Sequence, residues 1–79
     1  MKTVWVLDSQ WQDTASLQKT ETLLKANMCV FIWPRDTGKR FKDINDMCVF
    51  FKINEISPDY ILENTYCGLK GIVKLKQIR

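Results

Sequence analysis

Met28-Cys29-Val30-Phe31-Ile32-Trp33 is a continuous apolar run, and Pro34 stops it. It reads as a strand covered on both faces, because nothing in it alternates with polar residues. Upstream lies a second run, Thr3-Val4-Trp5-Val6-Leu7. It is β-branched and aromatic, and it too reads as a buried strand. That run ends at Asp8 and gives way to the polar stretch Ser9-Gln10-Trp11-Gln12-Asp13. Between the two runs, residues 14–26 contain neither glycine nor proline. Leu17, Thr20, Leu23 and Leu24 share one broad helical face, with Gln18, Lys19, Glu21 and Lys25 opposite. Asp13 or Thr14 can cap the start of this helix, and Asn27 can close its end. Strand, helix and strand in this order predict a βαβ unit with parallel strands and a right-handed crossover.

Downstream, Arg35 to Lys42 reads as a loop containing Gly38 and four cations, Arg35, Lys39, Arg40 and Lys42. Asp43 can then cap a helix with Asp46 at its third position. Ile44, Met47, Cys48 and Phe51 follow at helical spacing. Met-Cys-Val-Phe occurs at 28–31 and again at 47–50. The flanks differ, so the same four residues are expected to form a strand once and a helix once. Ser57-Pro58-Asp59 is a helix start that Tyr60 to Glu63 continues. Tyr66-Cys67-Gly68 reads as a turn, and the alternating tail from Leu69 to Ile78 as a strand or extended segment. The fold class expected is therefore α/β: a small parallel-sheet βαβ unit, then short helices and a terminal strand.

The chain has 79 residues, which makes residues 1–79 one domain of marginal stability. With 46% hydrophobic and 27% charged residues, it reads as globular. No run approaches the roughly 18 apolar residues of a membrane span. The short apolar run after Met1-Lys2-Thr3 does not read as a signal peptide. Cys29, Cys48 and Cys67 are odd in number and form no CxxC pair. They are expected to be small buried hydrophobes in a reducing compartment, the cytoplasm, with neither a disulfide framework nor a zinc site. The absence of histidine removes His-based triads and general bases. Chemistry is left to carboxylates, lysines or a hard metal such as magnesium, and the chain is too sparsely equipped for a complete enzyme. The net charge of +3 permits a polyanionic partner without requiring one.

Two places could carry chemistry. One is Asp8, at the end of the first strand. The other is Lys42-Asp43-Ile44-Asn45-Asp46-Met47, after the second. Parallel strands point their ends at one edge, so these segments should meet although roughly thirty-five positions separate them. A carboxylate beside a second acid and a lysine suits magnesium-assisted phosphoryl transfer. Spacing alone weighs more towards a turn residue at Asp8 and a helix cap at Asp43. The basic stretch has a similar pair of readings. Its cations are simply solvated, or they bind nucleic acid with Trp11, Trp33 and Phe41 as stacking rings, Trp33 being the better core residue. Lys70, Lys74, Lys76 and Arg79 make the tail cationic and able to touch phosphates non-specifically.

Three segments in order, Phe31-Ile32-Trp33-Pro34, Lys42-Asp43-Ile44-Asn45-Asp46-Met47 and Glu63-Asn64-Thr65-Tyr66-Cys67-Gly68-Leu69, resemble the TOPRIM region of the DNA primases of T-even-type bacteriophages. The resemblance implies a compact α/β domain with a parallel sheet. It implies magnesium-dependent synthesis of RNA primers on single-stranded DNA, with nucleotides as substrates and a replicative helicase as partner, in the cytoplasm of a host cell. It places Asp8 at the first acid of a metal-binding Asp-x-Asp or Asp-x-Glu pair. It places Lys42 and Asp43 beside the metal as catalytic residues, and it is compatible with Arg35, Lys39 and Arg40 as nucleic-acid contacts. Gln10 stands where the second acid is expected, which weakens magnesium binding. The chain matches only the C-terminal half of such a domain, without the upstream catalytic glutamate or the zinc-binding region.

Three functions are therefore expected in order. The first is a primase fragment inactive alone, with an exposed apolar edge along Val4, Trp5 and Val6 where a missing half would dock. The second is a non-catalytic TOPRIM-derived module that binds DNA or replication proteins. An unrelated receiver-like α/β domain with Asp8 in an acidic pocket ranks last.

Overall fold

The computed structural model describes residues 3–78; Met1, Lys2 and Arg79, the last grouped with the cationic tail above, lie outside the described residues. Eight elements follow one another: β1 (Val4–Trp5), α1 (Thr14–Lys25), β2 (Cys29–Phe31), α2 (Arg35–Arg40), α3 (Ile44–Phe51), α4 (Pro58–Glu63), β3 (Thr65–Cys67) and α5 (Gly68–Lys76). The sheet is mixed, in the order β1-β2-β3. β1 runs parallel to β2, pairing Val4 with Cys29 and Trp5 with Val30. β3 runs antiparallel, setting Cys67, Tyr66 and Thr65 opposite Cys29, Val30 and Phe31.

The central strand explains the uninterrupted apolar run. Side chains alternate across a strand. Val30 and Ile32 join Leu23, Leu24 and Leu75 from α1 and α5 in one cluster. Phe31 and Trp33 join Phe41 and Met47 in a second, with Ile44, Ile56, Tyr60 and Ile61 packed around it. Both faces of β2 are covered, so no position along it can be polar. No described helix is long and apolar enough to cross a membrane.

Several expectations need correction. The first strand is not buried: it is an edge strand with Trp5 39% and Val6 43% exposed. Only Val4 and Leu7 reach the clusters, one on each side. The stretch read as a basic loop contains α2. Its glycine, Gly38, is buried beneath the Trp11 ring, which occupies the space a Cβ would need. Glycine costs a helix about 1 kcal/mol relative to alanine, so it discourages a helix reading from sequence. Here it is what lets the indole close on α2.

Tyr66-Cys67 is not a turn but belongs to β3, and the tail is not extended but forms α5. The apparent alternation of the tail hid a helical stripe: Gly71, Leu75 and Ile78 lie three and four apart and face the α1 side. Leu24 of α1 fills the space beside Gly71, so the two helices meet at close range. The cysteines also depart from expectation. Cys29 and Cys67 are directly opposed in the antiparallel pair with Cα atoms 4.1 Å apart, and they form a disulfide; Cys48 remains free. The narrow, non-hydrogen-bonded type of antiparallel pair brings side chains to this distance.

Candidate nucleic-acid interface

The segment after β1 is built by hydrogen bonds. Ser9 is fully buried: its N–H donates to Lys42 O at 2.8 Å and its Oγ to Gly38 O at 2.6 Å. The Asp8 and Lys42 segments therefore do meet. Trp11 Nε1 donates to Trp33 O at 2.7 Å, and Trp33 Nε1 donates to Leu7 O at 3.0 Å. Each indole thus satisfies a carbonyl at the end of the other strand's segment.

Gln10 is the centre of this arrangement. It is 3% exposed. Its Nε2 donates to Phe31 O at 3.0 Å and to Thr20 Oγ1 at 3.0 Å. Its Oε1 accepts from Trp33 N at 3.1 Å. Donating to one residue of β2 and accepting two positions later is how a main-chain residue pairs in a parallel ladder. The carboxamide takes that place where the β1 main chain has turned away. Only a group with a donor and an acceptor side by side can do this, which selects an amide over a carboxylate.

The other sequence-derived candidates separate into two groups. Asp8 is exposed at the bend after β1. Asp43 is the N-cap of α3, its Oδ1 accepting from Asp46 N at 2.8 Å; Asp46 Oδ2 in turn accepts from Lys42 N at 3.3 Å. These carboxylates satisfy the free N–H groups of a helix start. Among the described residues, no three His, Cys, Asp or Glu side chains are grouped to hold a metal.

Arg35, Lys39 and Arg40 instead lie on α2, where Lys39 and Arg40 rest against aromatic rings. Pro34 starts this helix; Asp36 sits in its first turn and Lys39 and Arg40 in its last, matching the helix dipole. Lys39 Nζ lies 5.7 Å from the Trp11 ring centre. The Arg40 guanidinium lies 4.4 Å over Phe50 and 5.7 Å from Phe41. Phe41, Phe50 and Phe51 form a ring cluster with centroids 5.2 to 5.7 Å apart. Phe41 is buried, while Phe50 and Phe51 are 53% and 51% exposed. Trp33 is wholly buried and is no stacking platform.

Sequence reasoning passed over Phe50 and Phe51 as binding residues. The available signal was Phe50, an aromatic lying off the Ile44-Met47-Cys48-Phe51 face and directly followed by Phe51 and Lys52. The chain matches no family model, no curated protein and no solved structure.

Proposed function

We propose that the chain is a non-catalytic module of TOPRIM-like ancestry that binds single-stranded nucleic acid through α2 and the rings of α3. The observation that carries this reading is Arg40 stacked 4.4 Å over the half-exposed Phe50, beside Lys39 on Trp11. Exposed rings next to cations bind single strands because bases stack on the rings while the cations meet phosphates. The three ordered segments that resemble phage primases support the choice of a nucleic acid as partner. The resemblance also implies magnesium, but the residues do not fit it. Gln10 is buried with its amide engaged, Asp43 caps a helix, and Asp8 is left without a second acid.

Charge reversal at Arg40 tests the interface. Arg40→Glu loses the contact with Phe50 and a favourable charge at the C-terminal end of α2, so it should cost about 1 kcal/mol and leave the chain folded. It removes a phosphate contact and a stacked cation and adds repulsion. Binding of a fluorescein-labelled twelve-residue oligothymidylate, followed by anisotropy at low salt, should weaken by roughly tenfold or more. Equal affinity in variant and wild type would remove α2 from the interface.

A second reading is favoured by the exposed edge at Trp5 and Val6: a component of a magnesium-dependent primase that another polypeptide completes. It predicts that Gln10→Glu gains magnesium affinity in spite of the stability it loses.

A further inference from the structure

Next to the ring cluster lies a groove of 290 Å³ between α2, α3 and the start of α4. Its walls are almost entirely apolar, made chiefly by Met47, Phe51, Ile53 and Ile56. Thr37, Ser57 and Tyr60 bring hydroxyls to the lining. Thr37 Oγ1 and Tyr60 OH lie on its lining 2.9 Å apart and share one hydrogen bond. Thr37 Oγ1 also donates to Pro34 O at 3.5 Å, so the capacity this pair keeps is in its acceptor lone pairs.

We infer that this groove receives one unstacked nucleobase of a bound single strand whose phosphates lie on the α2 cations. The inference rests on the proposed function and specifies where the base goes. Two observations join the groove to the α2 cations. Thr37, on its wall, belongs to α2 between Arg35 and Lys39. Phe51, also on its wall, lies 5.2 Å from Phe50, and Phe50 carries Arg40 at 4.4 Å. The volume, 290 Å³, lies at the small end of the range for ligand sites and suits a single aromatic ring system rather than a large ligand.

The charge beside the groove is cationic on its α2 side, while Glu55 and Asp59 adjoin the opposite Ile56–Ser57 wall in sequence, so a strand would enter from α2. Arg35, Lys39 and Arg40 stand on the same helix as Thr37, with Asp36 as its sole acid. Asp43 and Asp46, the nearest acids of α3, are tied to helix-start N–H groups. A base in the groove meets apolar walls, hydroxyls and the Phe51 ring, with Arg40 on the neighbouring Phe50 to meet its phosphate. An aliphatic peptide side chain would use the walls alone.

The test fills the groove. Ser57 lies on its lining, is exposed, and makes no capping hydrogen bond with its side chain, so Ser57→Trp adds bulk without removing a partner. Wild type and variant are titrated with oligothymidylate and, separately, with tripolyphosphate, which carries charge and no base. Amide NMR spectra report both folding and the residues affected. The expected result is that the variant stays folded, binds oligothymidylate about tenfold more weakly, the loss of one stacked base, and binds tripolyphosphate as the wild type does. In the wild type, signals of Met47, Ile53 and Tyr60 should move with the oligonucleotide and not with tripolyphosphate. Should the variant unfold, those wild-type shifts decide the matter alone. Oligonucleotide binding that leaves the groove signals still, or that Ser57→Trp does not weaken, overturns the base pocket and keeps the interface on α2. Groove signals that move with protein concentration before any oligonucleotide is added assign the groove to a second copy and overturn the inference. No oligonucleotide binding at all overturns both the pocket and the proposed function.

Discussion

Gln10→Glu is expected to lose about 3 kcal/mol of folding stability at neutral pH and much less in acid. The cause is the loss of a donor in a buried place. Phe31 O and Thr20 Oγ1 both receive Gln10 Nε2, and Trp33 N gives to Gln10 Oε1. A carboxylate would meet Trp33 N–H well and Phe31 O badly, with little water to offset the repulsion. Burial favours the neutral acid, so the folded pKa of the introduced carboxyl would rise above its unfolded value of about 4.3. The stability of the variant is then fullest below that value, where the protonated acid can still donate and accept. It falls as pH rises through the folded pKa, and each unit of elevation removes about 1.4 kcal/mol. Urea unfolding of variant and wild type at pH 4 and pH 7 measures this. A variant as stable as wild type at pH 7 would show that position 10 does not act as a ladder residue. Magnesium binding gained at the same time would favour the primase-component reading.

Opening the Cys29–Cys67 bond has the other large effect. The bond spans 38 positions of sequence. On a chain-entropy account, freeing a loop of this size costs about 3 to 4 kcal/mol, because the unfolded chain regains the conformations that the link removed. A domain of this size has a total stability on the order of 5 kcal/mol, so reduction should leave it close to unfolding. The Cys29→Ala/Cys67→Ala variant should show the same loss in urea without reductant. Thiol titration in denaturant gives an independent check. Of three cysteines, Cys48 alone is free, so one thiol should react before reduction and three after it. Three reactive thiols in unreduced protein would contradict the bridge.

The elements with strong local signals were legible in the sequence. Asp13 and Asp43 cap α1 and α3 through their carboxylates, and Pro58 opens α4. The repeated Met-Cys-Val-Phe contributes to a strand at its first occurrence and a helix at its second. Flanking residues decided between the two, since the four side chains are the same. What could not be read depended on partners distant in sequence. α5 shows its helical face only once Gly71 is placed against Leu24. β3 is a strand because β2 offers it an antiparallel edge, and that pairing is also what brings Cys67 to Cys29. α2 was concealed by Gly38, whose reason for being there is Trp11.

The candidate site was legible in the same uneven way. The meeting of the Asp8 and Lys42 segments followed from strand direction, and the Ser9–Lys42 hydrogen bond joins them. Asp43 as a cap followed from its position before an amphipathic helix. Gln10 was visible only as a missing acid. Its role as a stand-in for a strand residue arises from Phe31, Trp33 and Thr20, none of them near it in sequence. The cations of this stretch were visible in the sequence, but not the rings that Lys39 and Arg40 lie against. Those rings depend on α3 turning Phe50 towards α2, which puts Arg40 over the ring.

The most direct test of the central claim is the salt dependence of oligothymidylate binding by the unmodified chain, read by fluorescence anisotropy. Three cations on α2 meeting phosphates should give a slope of about −2 in log affinity against log salt. Stacking on the rings should leave measurable affinity as salt rises, since that part is not counterion release. Such a slope, with residual binding, is the result expected of a single-strand interface built on α2 and α3. No binding at low salt, or an affinity indifferent to salt, would contradict it.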